Sequence, residues 1–296
     1  MNVYYEEEFL KGSDITECFK KVFKFASPQD CNYFICTSID NNIYHSKESL
    51  KKFILKSKNF GKKVVFLGQG DIEEGYIPIS IGYNFKNNLL KSKKFKNEFS
   101  LTSLAEERVP NKEFIPYSGE CSVGFCGASD RFNREKYLNE LKNSNIKTDF
   151  IIKNGPKWGT SSSEECINNN ITEQIQKKSV NEFYNNISKN LFTLCIRGWG
   201  NYSYRFCQTI CMGRIPILVD TDCALPFEEI FNYDDYIVRI MPDQDIVDAV
   251  KSFYNSKNNS LINIQQNLFN FGNEYLTPVG FMKNLYKLIE HYERNN

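Results

Sequence analysis

The sequence predicts an α/β protein built as two halves, and three observations carry that expectation. Short apolar runs alternate with amphipathic stretches through roughly the first hundred residues. A turn-rich interval at residues 111–120 interrupts them, and the same alternation then restarts. The clearest single unit is residues 191–227, which read as a buried strand, a Gly-rich loop, an amphipathic helix and a second strand ending in acidic residues. A length of 296 residues and a hydrophobic fraction of 41% suit one large or two medium globular domains.

In the N-terminal half, residues 32–38 (NYFICTS) make a good strand, and 47–58 place Leu50, Phe53 and Ile54 on one helix face. Residues 63–67 are a second strong strand. The turn-rich Gly68-Gln69-Gly70-Asp71 follows, and 76–81 read as another strand. Ligands in open α/β sheets bind beyond the carboxyl ends of strands, which makes Asp71, Glu73 and Glu74 candidates for chemistry; acidic loop residues are more commonly just solvated. Residues 86–107 have a mixed pattern and read as irregular or short-helical. The domain boundary falls near Pro116 and Gly119, giving an N-terminal domain of 1–115 and a C-terminal domain of 116–296, with the last helix able to pack back on the first half.

In the C-terminal half, a strand at 122–126 runs into Gly127-Ala128-Ser129-Asp130-Arg131, followed by a helix at 134–142 and a strand at 148–152. A polar insertion at 154–170 surrounds Trp158. A helix at 179–188 leads into the strand at 191–196, which Arg197-Gly198-Trp199-Gly200-Asn201 stops. Ser203 stands where a helix N-cap belongs, since a hydroxyl there can accept a first-turn amide proton. Gly213 stops the helix and 215–219 is the next strand. After a strand at 236–240 the chain is mostly helical, with core stripes at Val247, Val250 and Phe253 and at Phe281, Leu285, Leu288 and Ile289.

The balance of 37 basic and 36 acidic residues gives a net charge of +1, so no global field favours nucleic acid or an anionic membrane. The Lys-rich stretch at 91–96 reads as a solvated face. No run approaches the roughly 20 apolar residues of a membrane span, and the expectation is a soluble cytoplasmic protein. Ten cysteines are scattered through strands and helices without a Cys-x-x-Cys pair, as in a reducing compartment. Cys207 and Cys211 lie one helical turn apart, but with only His45 and His291 in the chain they read as buried thiols, and no metal is expected.

The loop at 197–203 carries the chemistry. A helix start after glycines offers free N–H groups and a partial positive charge, which suits a phosphate. Arg197 closes the strand and Arg205 falls in the first helical turn, so both can flank such an anion. Gln208 lies on the same helix face one turn deeper, beside a bound ribose. A mere connector does not need this concentration of glycines, arginines and a serine. A dinucleotide site is an alternative, because Gly198-x-Gly200-x-x-Ser203 approaches the Gly-rich fingerprint and Asp220 ends the next strand. That fingerprint wants Gly or Ala in its third position and needs no flanking arginines. A sugar-nucleotide site, where cations and a helix end stabilise a departing diphosphate, uses all of these features.

The run from Phe192 to Phe227 (FTLCIRGWGNYSYRF, then GRIPI, VDTDC and LPF) resembles the signature of the exostosin-type glycosyltransferases, family 47. Val123-Gly-Phe-Cys-Gly, Arg134-Glu-Lys and Asp149-Phe-Ile-Ile resemble the start of the same domain. The likeness covers residues 122–240 and is faint before them. It implies a GT-B architecture, two Rossmann-like domains facing across a cleft, and transfer of a sugar from a nucleoside diphosphate, UDP favoured, to a glycan hydroxyl. It further implies inverting, metal-independent chemistry with no cofactor beyond the donor substrate. By the same resemblance Arg197, Ser203 and Arg205 hold the donor diphosphate, and Gly127 and Arg131 line the cleft. Gly198 and Asn201 of the loop join the donor site, and Asp222, just past a strand end, is placed to touch the sugar or nucleoside. Asp71 is the first candidate base, with His45 and Asp130 behind it. The family usually has Glu where this chain has Gln208, the residue implied to hold the donor ribose. An amide loses the charge-assisted contact to two hydroxyls, so a catalytically quiet binding protein is the rival reading.

Overall fold

Both sheets are parallel throughout, so each chain crossover must return along a sheet face, and strands such as Ser122–Gly127, Phe192–Cys195 and Ile215–Val219 are buried along their whole length. The computed structural model describes residues 1–6, 9, 13–38, 47–68, 81–102, 113–153, 173–198 and 200–296. The first sheet contains β1 (Asn2–Tyr4), β2 (Lys24–Phe25), β3 (Tyr33–Ser38), β4 (Lys63–Gly68), β5 (Gly82–Lys86) and β6 (Glu98–Ser100), in the order β2-β1-β3-β4-β5-β6. Helices α1 (Ser13–Val22) and α2 (Lys47–Asn59) belong to this half. Phe53 of α2 packs edge-on against Phe34 of β3, with ring centroids 5.4 Å apart.

The second sheet contains β7 (Ser122–Gly127), β8 (Lys147–Ile152), β9 (Phe192–Cys195), β10 (Ile215–Val219) and β11 (Val238–Ile240), ordered β11-β10-β9-β7-β8. Between these strands run α3 (Arg134–Lys142), α4 (Glu173–Ser188) and α5 (Tyr204–Cys211); α6 (Ile246–Lys257), α7 (Leu261–Phe271) and α8 (Pro278–Arg294) close the chain. The protein is thus α/β with two Rossmann-like parallel units. No helix among the described residues is long and apolar enough to cross a membrane.

Several elements differ from expectation. The strand expected at 76–81 falls almost wholly outside the described residues, and β5 begins one residue later, at Gly82. Gly82 resembles a strand breaker, but here it permits close packing: a Cβ would lie 1.9 Å from the Val64 carbonyl oxygen. The stretch read as irregular or short-helical contains a 3-10 turn at Lys91–Lys93, which fits that reading, and the strand β6, which does not. β6 escapes notice because its three residues include Glu98, whose carboxylate is buried and paired with Lys86 at 3.2 Å. Helix α4 begins at Glu173, and β11 is shorter than expected because Tyr233–Asp235 forms a 3-10 turn capped by Asn232.

The end of the chain returns to the first sheet. Thr277 caps α8 by accepting the Gly280 amide, and Pro278 takes the first helical position, where its missing N–H costs nothing. Phe281 of α8 meets Phe85 of β5 at 5.8 Å, and Tyr292 meets Tyr83 at 5.7 Å. Glu293 accepts from Lys63 at 2.8 Å and from the Tyr83 hydroxyl; these two bonds hold its carboxyl below the ordinary range. A second seam lies near β6, where Leu90 bridges to Cys223 and Lys94 pairs with Glu229 at 2.7 Å and Glu228 at 3.1 Å.

Candidate active site

In the second sheet the strand order reverses between β7 and β9, the point at which open α/β sheets form a ligand crevice beyond their carboxyl ends. These two strands pair only at Val123 with Phe192 and Gly124 with Thr193. Past that register the strands separate and their carbonyls need other partners.

Two buried arginines supply them. Arg205 donates through Nη2 to the Cys126 carbonyl at 2.7 Å and through Nη1 to the Leu194 carbonyl at 3.3 Å. Arg134 donates through Nη1 to Ala128 at 2.8 Å, and through Nη2 to Arg197 at 2.7 Å and Ile196 at 3.2 Å. Each guanidinium therefore joins the β7 side of the crevice to the β9 side, a task the planar fork of donors suits. The Arg205 guanidinium also stacks on the Phe125 ring at 4.4 Å. Gly127 makes this possible, since a Cβ there would fall 2.6 Å from Arg205 Nη2.

Neither arginine is neutralised by a carboxylate among the described residues, and both keep a buried Nε without a partner. Burial lowers the Arg205 pKa, and burial together with the Arg205 and Arg131 charges lowers Arg134 to about 10. Both remain cations at neutral pH. Arg131 stands 3.8 Å from the exposed carboxylate of Asp130, and the half-buried Arg197 lies over the Phe132 ring at 4.1 Å. Four guanidiniums thus converge at the carboxyl ends of β7 and β9.

The other expected site residues divide between the crevice and the seam. Ser203 has the backbone of an N-cap, yet its hydroxyl caps nothing; it lines a hollow with Ser100, Leu101, Tyr204 and Leu225, between the two halves. Gly198 has open space where a Cβ would stand and no left-handed backbone, so neither packing nor conformation demands glycine there. Gln208 donates through Nε2 to the Tyr184 hydroxyl at 3.3 Å. Asn201 is buried, its main-chain N–H donating to Asn88 Oδ1 and its own Oδ1 accepting from Thr221 at 2.6 Å. Asp222, at φ 65, accepts the Ser92 hydroxyl and the Ser92 N–H at 3.1 Å, while its carbonyl accepts the Lys91 N–H at 2.8 Å. Asn201 and Asp222 therefore hold the segment between β5 and β6. Replacing Asp222 by Ala removes both bonds to Ser92, and an expected loss of about 1–2 kcal/mol would show as a lower urea midpoint.

Asp71, His45, Trp158 and Trp199 lie outside the described residues. Asp220 is engaged by Arg239 Nη1 at 2.7 Å and the Cys223 N–H at 3.2 Å, so the acid that a dinucleotide site needs is occupied by an internal ion pair. Cys207 and Cys211 are buried, burial pushes the Cys211 thiol up, and no metal-binding group of His, Cys, Asp or Glu occurs among the described residues. Arg134 is legible in the sequence as the start of a helix and of the Arg134-Glu-Lys motif but not as a site residue; its signal is an arginine close behind a strand end facing a second strand end.

An open parallel sheet with guanidiniums gathered at its switch point has the architecture of nucleotide-binding α/β enzymes. Residues 125–256 match the Exostosin GT47 domain, so this stretch is similar to the exostosin-type glycosyltransferases. It is 26% identical over 92 residues to a probable glucuronosyltransferase of Oryza sativa subsp. japonica, covering 31% of this chain and 21% of that protein. A second probable glucuronosyltransferase of the same plant is 28% identical over 79 residues, or 27% of this chain and 19% of the relative. The chain thus spans about a fifth of the length of the curated relatives it matches. Among solved structures, the calicheamicin glycosyltransferase CalG4 aligns at 8% identity with a TM-score of 0.39, covering 88% of this chain and 76% of that one.

Proposed function

We propose that this protein transfers a sugar from a nucleoside diphosphate, UDP favoured, to a hydroxyl of a glycan, with inversion and without a metal. The observation that carries the reading is the set of four guanidiniums at the switch point, two of them buried without a carboxylate. A departing diphosphate gains negative charge as the glycosidic bond breaks, and fixed cations stabilise that charge without reorganising. In this reading Arg197 and Arg131 face the phosphates with the first turn of α5, while Arg134 and Arg205 hold the crevice open beneath them. Asp71 is the proposed base, with His45 and Asp130 as alternates, and Gln208 faces the ribose. The rice relatives' description as probable glucuronosyltransferases puts UDP-glucuronic acid among the first donors to try. Ten cysteines scattered through the sequence without a Cys-x-x-Cys pair favour a reducing compartment such as the cytoplasm.

Gln208 in place of the family's Glu favours a second reading, a binding protein without turnover. Calorimetric titration with a panel of nucleoside diphosphates in the presence of EDTA tests the first, and donor hydrolysis separates the two. Binding of at least one nucleoside diphosphate, with slow hydrolysis of the corresponding nucleoside-diphosphate sugar, is the expected result. Failure of every member to bind would overturn the donor assignment.

A further inference from the structure

We propose that Phe132 is a positioning residue, fixing the Arg197 guanidinium at the mouth of the crevice for the donor diphosphate. The inference rests on the glycosyltransferase reading for the identity of the anion. Phe132 and Asn133 are consecutive non-glycine residues with left-handed backbone, at φ 47 and φ 56. Such a conformation is unfavourable for a ring-bearing side chain, because Cβ crowds the following carbonyl. Burial does not offset the strain: the Phe132 residue remains 43% exposed. What the turn delivers is a grip on Arg197 at two points. The Phe132 ring lies under the guanidinium, whose Cζ is 4.1 Å from the ring centroid. Two residues on, Arg134 Nη2 takes the Arg197 carbonyl at 2.7 Å.

One strained turn after β7 thus holds both the main chain and the side chain of a residue that follows β9. Strain maintained at an exposed site, next to a cation at the carboxyl end of β9, is the pattern of a preorganised contact. A cation over an aromatic face is attracted to the ring quadrupole, which restricts the rotamers of a long side chain. In this role Phe132 acts on the diphosphate through Arg197 and makes no contact of its own with the nucleobase.

The test uses the full chain titrated with UDP and, separately, with uridine. Phe132→Ala should weaken UDP about tenfold and leave uridine unchanged, and Phe132→Tyr should restore UDP binding because it keeps the ring. Combined with Arg197→Ala, Phe132→Ala should add nothing further, as a shared interaction requires. Phe132→Asn, whose side chain tolerates left-handed backbone, should lose UDP affinity with no fall in Tm. Unchanged UDP binding in Phe132→Ala overturns the proposal, as do additive losses in the double variant. An equal loss for uridine overturns it too, by showing that the ring stacks the base. A wild-type protein that binds no nucleoside diphosphate at all removes the functional reading and this inference with it.

Discussion

Arg205→Ala will destabilise the fold by about 3–5 kcal/mol and lower the proposed sugar transfer by on the order of 100-fold or more. Arg205 is 9% exposed, and its removal leaves the Cys126 and Leu194 carbonyls buried without donors. Each such carbonyl costs about 1–3 kcal/mol, and the emptied volume beside Phe125 adds to that. Relief of the desolvation cost of the buried guanidinium offsets part of this, and the two orphaned carbonyls and the cavity outweigh it. Arg205→Lys keeps the charge but places a single ammonium where two carbonyls need a fork, so most of the stability loss should persist. Urea denaturation of both variants, alongside donor turnover, measures the two effects. A lysine variant as stable as wild type would show that charge alone, and not the bridging geometry, holds β7 and β9 at their separation.

Gly82→Ala has an expected cost above about 4 kcal/mol, large for the addition of one methyl group. The added Cβ would stand 1.9 Å from the Val64 carbonyl oxygen and 2.7 Å from its carbon, and both are backbone atoms of the neighbouring strand. No rotamer change relieves that contact; β5 must move away from β4 and give up ladder bonds. Gly61→Ala is the control. Gly61 has φ 63 and open space, so only backbone strain of about 1 kcal/mol is expected there. Thermal unfolding should separate the two by many degrees, and similar Tm values would mean that β5 shifts freely on β4.

The second half was largely legible in the sequence, because strands such as β10 and helices such as α3 have strong periodicity and sharp stops. The first half was harder. β5 opens on a glycine and carries Asn84 inward, and β6 buries Glu98, so neither shows the apolar run that identifies a strand. At the site, the sequence identified the elements that carry arginines but not where the side chains point. Arg205 was placed beside the phosphate by spacing along the helix, whereas the structure directs it inward to strand carbonyls, as helical side chains lean toward the N-terminus. Asp222 reads as a ligand contact because it follows a strand end, and Asn201 because it lies in the Gly-rich loop. Their bonds to Ser92 and Asn88 come from a distant stretch that no local pattern reveals.

The return of α8 to the first sheet sets an order on synthesis. Tyr83 and Phe85 are made early, yet their ring partners Tyr292 and Phe281 lie near the far end of the chain. While the ribosome makes the whole of the second unit, the first stands with one apolar flank uncovered. A first half that folds as it emerges therefore leaves these two rings without their partners until α8 follows.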